Sequence, residues 1–258
     1  MSSENSLRVV SPPPNENVTA PRTAYHSLDA AKIIDTAATL QQRVRERFPS
    51  ASLTRIAEEL VTVSHEAGEI AAWLARPIGW LRAATWIGIL ALVALFVSTL
   101  LVFRSKVDLY SSVSDYLQGL DAAVNELVFL GIAIFFLRTI ETRFKRRRAL
   151  KMLHVLRSMS HIIDMHQLTK DPERLVGPPC NTPSSPNRAM SAFELTRYLD
   201  YCSEMLAVIS KLAALHVQNF DDPVTLSAVN DIEDLTQGLS RKIWQKIMIL
   251  DRMLAPRD

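Results

Sequence analysis

Apolar residues recur along most of this chain at alternating spacings of three and four, and in two places they run together almost without interruption. Ile33, Ala37, Leu40 and Val44 share one face of a helix predicted between His26 and Arg47, and Phe48-Pro49-Ser50 breaks it. Leu53, Ile56, Leu60, Val63, Ala67, Ile70 and Leu74 then form a heptad seam. Residues 26–76 therefore read as a helix pair. The seam is short, which favours packing inside a bundle over an extended coiled coil with a second copy. Pro77 and Gly79 mark a kink.

From Ala83 to Phe103 there is no charged side chain. As a helix this run is about 31 Å long, enough to cross a hydrocarbon core of roughly 30 Å. The first span is placed at 80–104 and a short, nearly neutral connection at 105–116. The second apolar run, Leu127 to Leu137, is about 17 Å long and too short alone. It reaches across only if the helix covers 117–140, drawing Asp121, Asn125 and Glu126 into one end and Arg138 into the other. Arg138 can snorkel.

Orientation follows from charge. Arg76 and Arg82 precede the first span, and a dense basic block follows the second: Arg143, Lys145, Arg146, Arg147 and Arg148. Positive residues stay on the cytoplasmic side, so two spans with both termini inside satisfy both flanks. Trp80, Trp86 and Tyr110 sit where interfacial aromatics belong, with Trp73 near the same inner surface. The five basic residues named are expected to touch anionic lipid headgroups as well as to fix topology. Their position directly after a span favours lipid over nucleic acid, and no nucleic-acid partner is expected.

Beyond the block the seam resumes with Ala149, Met152, Leu156, Met159 and Ile163, giving a basic juxtamembrane helix over 141–172 that stops at Pro172. Pro and Ser dominate 173–190, a loop by composition. Ser191 to Glu194 fits a capping box, and Leu195, Tyr198, Cys202, Leu206, Ile209 and Ala213 face one way after it. Asp222 is the expected N-cap of the last helix and Pro223 its first residue. Ile232, Leu235, Leu239, Ile243, Ile247, Leu250 and Leu254 form its stripe. Residues 191–258 thus make a helical hairpin. The fold class is all-α: a two-span transmembrane hairpin carrying a cytosolic antiparallel bundle, built from the N-terminal pair and three C-terminal helices.

Composition adds little to this, but charge segregation adds something. Acids dominate between Glu194 and Asp234, and that surface could face water, a basic protein or the basic block of a neighbouring subunit. Residues 1–25, with a Pro run at 12–14 and acidic Glu4 and Glu16, read as a disordered tail rather than a signal peptide or mitochondrial presequence, so the first span is expected to act as an internal signal-anchor. Cys180 and Cys202 are the only cysteines and form no metal or disulfide framework; two reduced thiols are expected.

Candidate chemistry is sparse. No Walker loop, GxGxxG, HExxH or GxSxG occurs, no nucleophile, base and oxyanion set can be assembled, and neither a cofactor nor catalysis is expected. His161 and Asp164 are the one weak metal candidate; His154 lies two turns away, about 10 Å, too far for one ion, and His166 points elsewhere. The alternative is a polar seam in which His161 bonds Asp164. His65 and Glu69 read as a solvated pair.

Ser114, Gln118, Asp121 and Asn125 are spaced as one helical face at the outer end of the second span. Together with Glu126 they could line a cation pathway in an oligomer. The competing reading starts the helix later and leaves Asp121 and Glu126 among headgroups. Trp244 is either a docking anchor or, more commonly for Trp in a bundle, core. The function expected is a non-enzymatic protein of a bacterial inner membrane that holds a cytosolic bundle for a protein partner or for itself, as homo-oligomer or scaffold; the alternative is a cation channel or transporter subunit.

Overall fold

The structure, a computed structural model, describes residues 27–106, 113–172 and 190–254. The tail at 1–25, Tyr110 and half of the connection at 105–116, Cys180 with most of the loop at 173–190, and the last four residues lie outside the described residues. Among those described there are six helices and no strand: α1 (Ala30–Arg47), α2 (Ser52–Ala75), α3 (Gly79–Lys106), α4 (Val113–Leu168), α5 (Ala192–Leu215) and α6 (Pro223–Leu254).

Local sequence explains the boundaries. The Asp29 carboxylate accepts from the Ala31 N–H at 2.9 Å and caps α1. At the break before α2, Thr54 donates to the Phe48 carbonyl at 2.6 Å, and the Phe48 ring meets Tyr198 and Tyr201 edge-on. Ser191 and Glu194 form the capping box of α5 reciprocally. Asp222 caps α6, accepting from the Thr225 N–H at 2.9 Å, with Pro223 first in the helix.

The α1, α4 and α5 seams bury the residues that spacing selects, and on α6 Ile232, Leu239, Ile243, Ile247 and Leu250 are buried with Leu235 partly so; all but Ala149, which packs with Leu74 and Phe220, meet in one core. Ile33, Ala37, Leu40 and Val44 are the buried residues of α1. From α2, all of the heptad seam is buried except Ile70, which is partly so. Ala149, Met152, Leu156, Met159 and Ile163 of α4 and Leu195, Tyr198, Cys202, Leu206, Ile209 and Ala213 of α5 are likewise inside. The α2 seam is therefore satisfied within one chain. Each buried Val, Leu, Ile or Met among them contributes about 1.5–3 kcal/mol of burial. Gly68 lets α1 approach α2 closely: a Cβ there would lie 3.2 Å from the Ile34 Cδ1.

α3 and α4 each contain a stretch long and apolar enough to cross a membrane. They run antiparallel: Arg82 pairs with Glu141, and Gly88 lies against Leu137. The face of α3 turned to α4 carries Leu81, Thr85, Gly88, Leu92 and Phe96, all half-buried. The second apolar run and the basic segment are not separate helices. α4 passes through both without interruption, 56 residues long, about 84 Å. Its first part pairs with α3, and its last part lies in the bundle between α2, α5 and α6.

Candidate functional site

The bundle and the hairpin meet where α2 ends, α3 begins and α4 passes from one to the other, and the chemistry of that junction centres on Glu141. Arg76 leaves the helical conformation after α2, so the N–H of Ile78 has no helical partner. The Glu141 Oε1 accepts from that N–H at 3.2 Å, and its Oε2 accepts from Arg82 Nε at 2.8 Å. A carboxylate at a helix start is also favoured by the helix dipole. Lys145, one turn further along α4, pairs with Glu141 at 3.2 Å and donates to the Leu74 carbonyl at 2.9 Å. That carbonyl belongs to the last turn of α2, where intrahelical partners run out. One acid and one base thus close two helix ends. Burial pushes the Glu141 carboxyl up, but Arg82, the Ile78 N–H and Lys145 outweigh it and hold Glu141 below its ordinary range.

A second tie lies one turn further into the bundle. Arg146 grips Asp222 in a fork, with Nη2 to Oδ1 at 2.6 Å and Nε to both oxygens at 3.0 Å. Asp222 is almost wholly buried, and its Oδ2 also accepts from the Thr225 N–H and hydroxyl. Burial raises the Asp222 carboxyl; Arg146 and Thr225 more than reverse this and hold it low. One acid of the C-terminal hairpin, Asp222, therefore meets the basic block within the same chain.

These ties take up two of the five cations, Lys145 and Arg146, within the chain. Lys145 is 7% exposed and is turned inward because two helix ends need its charge and its protons. Arg146 is engaged by Asp222. Arg148 lies over the Trp73 ring at 4.7 Å, and Trp73 in turn meets Phe144 edge-on. Arg143, Arg147 and Arg148 remain exposed; Arg143 stacks on Phe136 at 4.9 Å. With Ile140, Phe144 and Arg146, Arg143 and Arg147 line a shallow basic depression of about 470 Å³. Beside it, Arg82, Thr85, Trp86, Ile89, Arg138 and Glu141 line a smaller one of about 240 Å³.

At the far end of the hairpin, α4 is helical from Val113, so the later helix start is overturned. Gln118, Asp121 and Asn125 share an exposed face. Glu126 does not join them. It lies on the half-buried face that carries Gly119, Ala123, Leu130, Ala133 and Leu137 toward α3. The four polar residues therefore do not share one face of the helix.

His161 and Asp164 are not paired. Asp164 accepts from Gln167 at 2.7 Å, while His161 is exposed. Among the described residues, no group of three or more His, Cys, Asp and Glu side chains could hold a metal ion. His65 and Glu69 are both exposed. Trp244 is 57% exposed, not core, with Met248 one turn away at 50%. Cys202 is buried, which pushes its thiol up to about 12. His216 is fully buried: its Nδ1 lies 2.9 Å from the Leu212 carbonyl, and its Nε2 has no partner among the described residues. Burial lowers its pKa.

Sequence reasoning passed over Glu141, Arg82 and Asp222 as functional residues. Glu141 did carry a signal: it is the single acid in the stretch from Arg138 to Lys151. No family model matches this chain, and no curated protein or solved structure is significantly similar to it.

Proposed function

We propose that this chain is a non-enzymatic protein of a bacterial inner membrane whose α3–α4 hairpin crosses the bilayer and holds a helical bundle rigidly at the cytoplasmic face, as a scaffold for a protein partner. The Glu141–Lys145 junction carries this reading. A flexible tether would need no such joint, whereas a bundle held in one orientation needs the ends of α2 and α3 tied to α4. Positive side chains favour the cytoplasmic side, and Arg143 and Arg147 contact acidic headgroups there at about 1 kcal/mol each. Trp244 and Met248 give the bundle an exposed apolar element of the kind that anchors interfaces.

Topology reporters on the full chain test the layout. A cytoplasmic fluorescent reporter after Asp258 should be active, and alkaline phosphatase inserted within residues 107–112 should be active outside. Activity of the phosphatase after Asp258 overturns the reading. Crosslinking in native membranes, read by mass spectrometry, then tests the scaffold: a partner captured by the wild type should be lost with Trp244→Glu, and a catch unchanged by that substitution counts against it.

A further inference from the structure

The exposed side of α4 in the hairpin is not a random mixture. Gln118, Asp121, Asn125, Val128, Ile132, Phe135 and Thr139 follow one another at alternating spacings of three and four, a heptad seam. Gln118, Asp121 and Asn125 are exposed, as are Val128, Ile132 and Phe135 at 54%, 61% and 67%. The seam lies on the side of α4 opposite the face toward α3. The chain thus offers it no cover among the described residues.

Depth makes the upper part of that seam costly in lipid. If Arg138 marks the inner edge of the hydrocarbon, Asn125 lies about 20 Å further along the helix and Asp121 about 26 Å, against a core of roughly 30 Å. Polar side chains at such depth face protein or water, not acyl chains.

We infer that this face is where a second copy of the chain docks side by side, α4 against α4. The argument rests on the membrane-crossing reading above. The polar residues choose the occupant. A side-chain amide is donor and acceptor at once, so Gln118 and Asn125 can each satisfy the same residue of an identical partner. Asp121, which only accepts when ionised, lies between them and is offered amide donors one turn to either side. Below them the same seam continues in Val128, Ile132 and Phe135, knobs for a matching seam. A polar residue at such a position fixes register and the number of helices, at some cost in stability.

Cysteine scanning in native membranes tests this, with the full chain carrying Cys180→Ser and Cys202→Ala. Mild oxidation should yield at least tenfold more disulfide-linked dimer from Val128→Cys and Ile132→Cys than from Ala133→Cys, which faces α3. The same variants are challenged with a membrane-impermeant maleimide. Shielded thiols with equal or no crosslinking at the three positions overturn the docking while the hairpin stands in the bilayer. Ready labelling of Ile132→Cys overturns the membrane-crossing reading itself, and the docking with it.

Discussion

Lys145→Met tests the junction most directly. The substitution keeps the apolar stem and removes the charge, so packing is nearly conserved while two interactions vanish. The Lys145 side chain is 9% exposed and that of Glu141 17%, so neither is well solvated. Breaking one partner out of a buried pair costs about 3–5 kcal/mol. Arg82 and the Ile78 N–H still hold Glu141, which places this part near the lower bound. The Leu74 carbonyl loses its donor, and a stranded buried acceptor costs about 1–3 kcal/mol. The two penalties overlap, because water enters once the lysine has gone, and together they come to about 3–5 kcal/mol. For a chain of this size each kcal/mol moves the melting temperature by about 2–4 °C. The expected fall is therefore about 6–20 °C, read by far-UV circular dichroism in detergent micelles. Adding Glu141→Gln should make the loss of Lys145 cheaper, with a coupling of about 2 kcal/mol in the double-mutant cycle. A fall below about 2 °C, or strictly additive effects, refutes the claim that this pair joins bundle to hairpin.

Asp222→Ala removes both a helix cap and the partner of Arg146, and should cost about 2–4 kcal/mol by denaturant unfolding; Asp222→Asn, which still caps, should cost distinctly less. Because the folded carboxyls of Asp222 and Glu141 are held low, their contribution is complete above about pH 5 and is lost as pH falls through the folded values, so the wild type should weaken in acid and Asp222→Asn should weaken less. His216 has a lowered pKa, so the unfolded chain takes its proton first. Stability from keeping it neutral is whole above about pH 6.5 and declines below that, by at most about 1.4 kcal/mol per pH unit, and His216→Phe should remove this slope. In a Cys180→Ser background the remaining thiol, Cys202, should resist thiol reagents until the bundle unfolds; fast labelling of the native protein contradicts its burial.

The apolar framework was legible because it is local. Spacings of three and four name one side of a helix without knowledge of its neighbours, and Leu53 to Leu74 or Ala149 to Ile163 need nothing more. The capping residues Ser191 and Asp222 were legible for the same reason, since a cap acts within one turn. The junction was not. Leu74 and Lys145 are 71 positions apart, and Arg146 and Asp222 are 76 apart, so no local pattern pairs them. A basic block after a span looks uniform in sequence; only packing decides that Lys145 turns inward while Arg143 and Arg147 do not. Other differences could have been read more closely. Glu126 follows Asn125 by one residue, hence about 100° around the helix, and so leaves the polar face. Trp244 sits beside, not on, the stripe of Leu239, Ile243, Ile247 and Leu250.

The unbroken course of α4 has a mechanical meaning. From Glu141 to Leu168 it extends about 42 Å past the hairpin. Transmembrane helices tilt to suit the thickness of the bilayer around them. With no hinge in α4 and both neighbouring helix ends pinned to it, a change of about 10° in tilt sweeps the distal tip near Leu168 sideways by about 7 Å. If the hairpin crosses a bilayer as proposed, α4 is a lever, and the thickness of the lipid sets where the bundle end near Leu168 points.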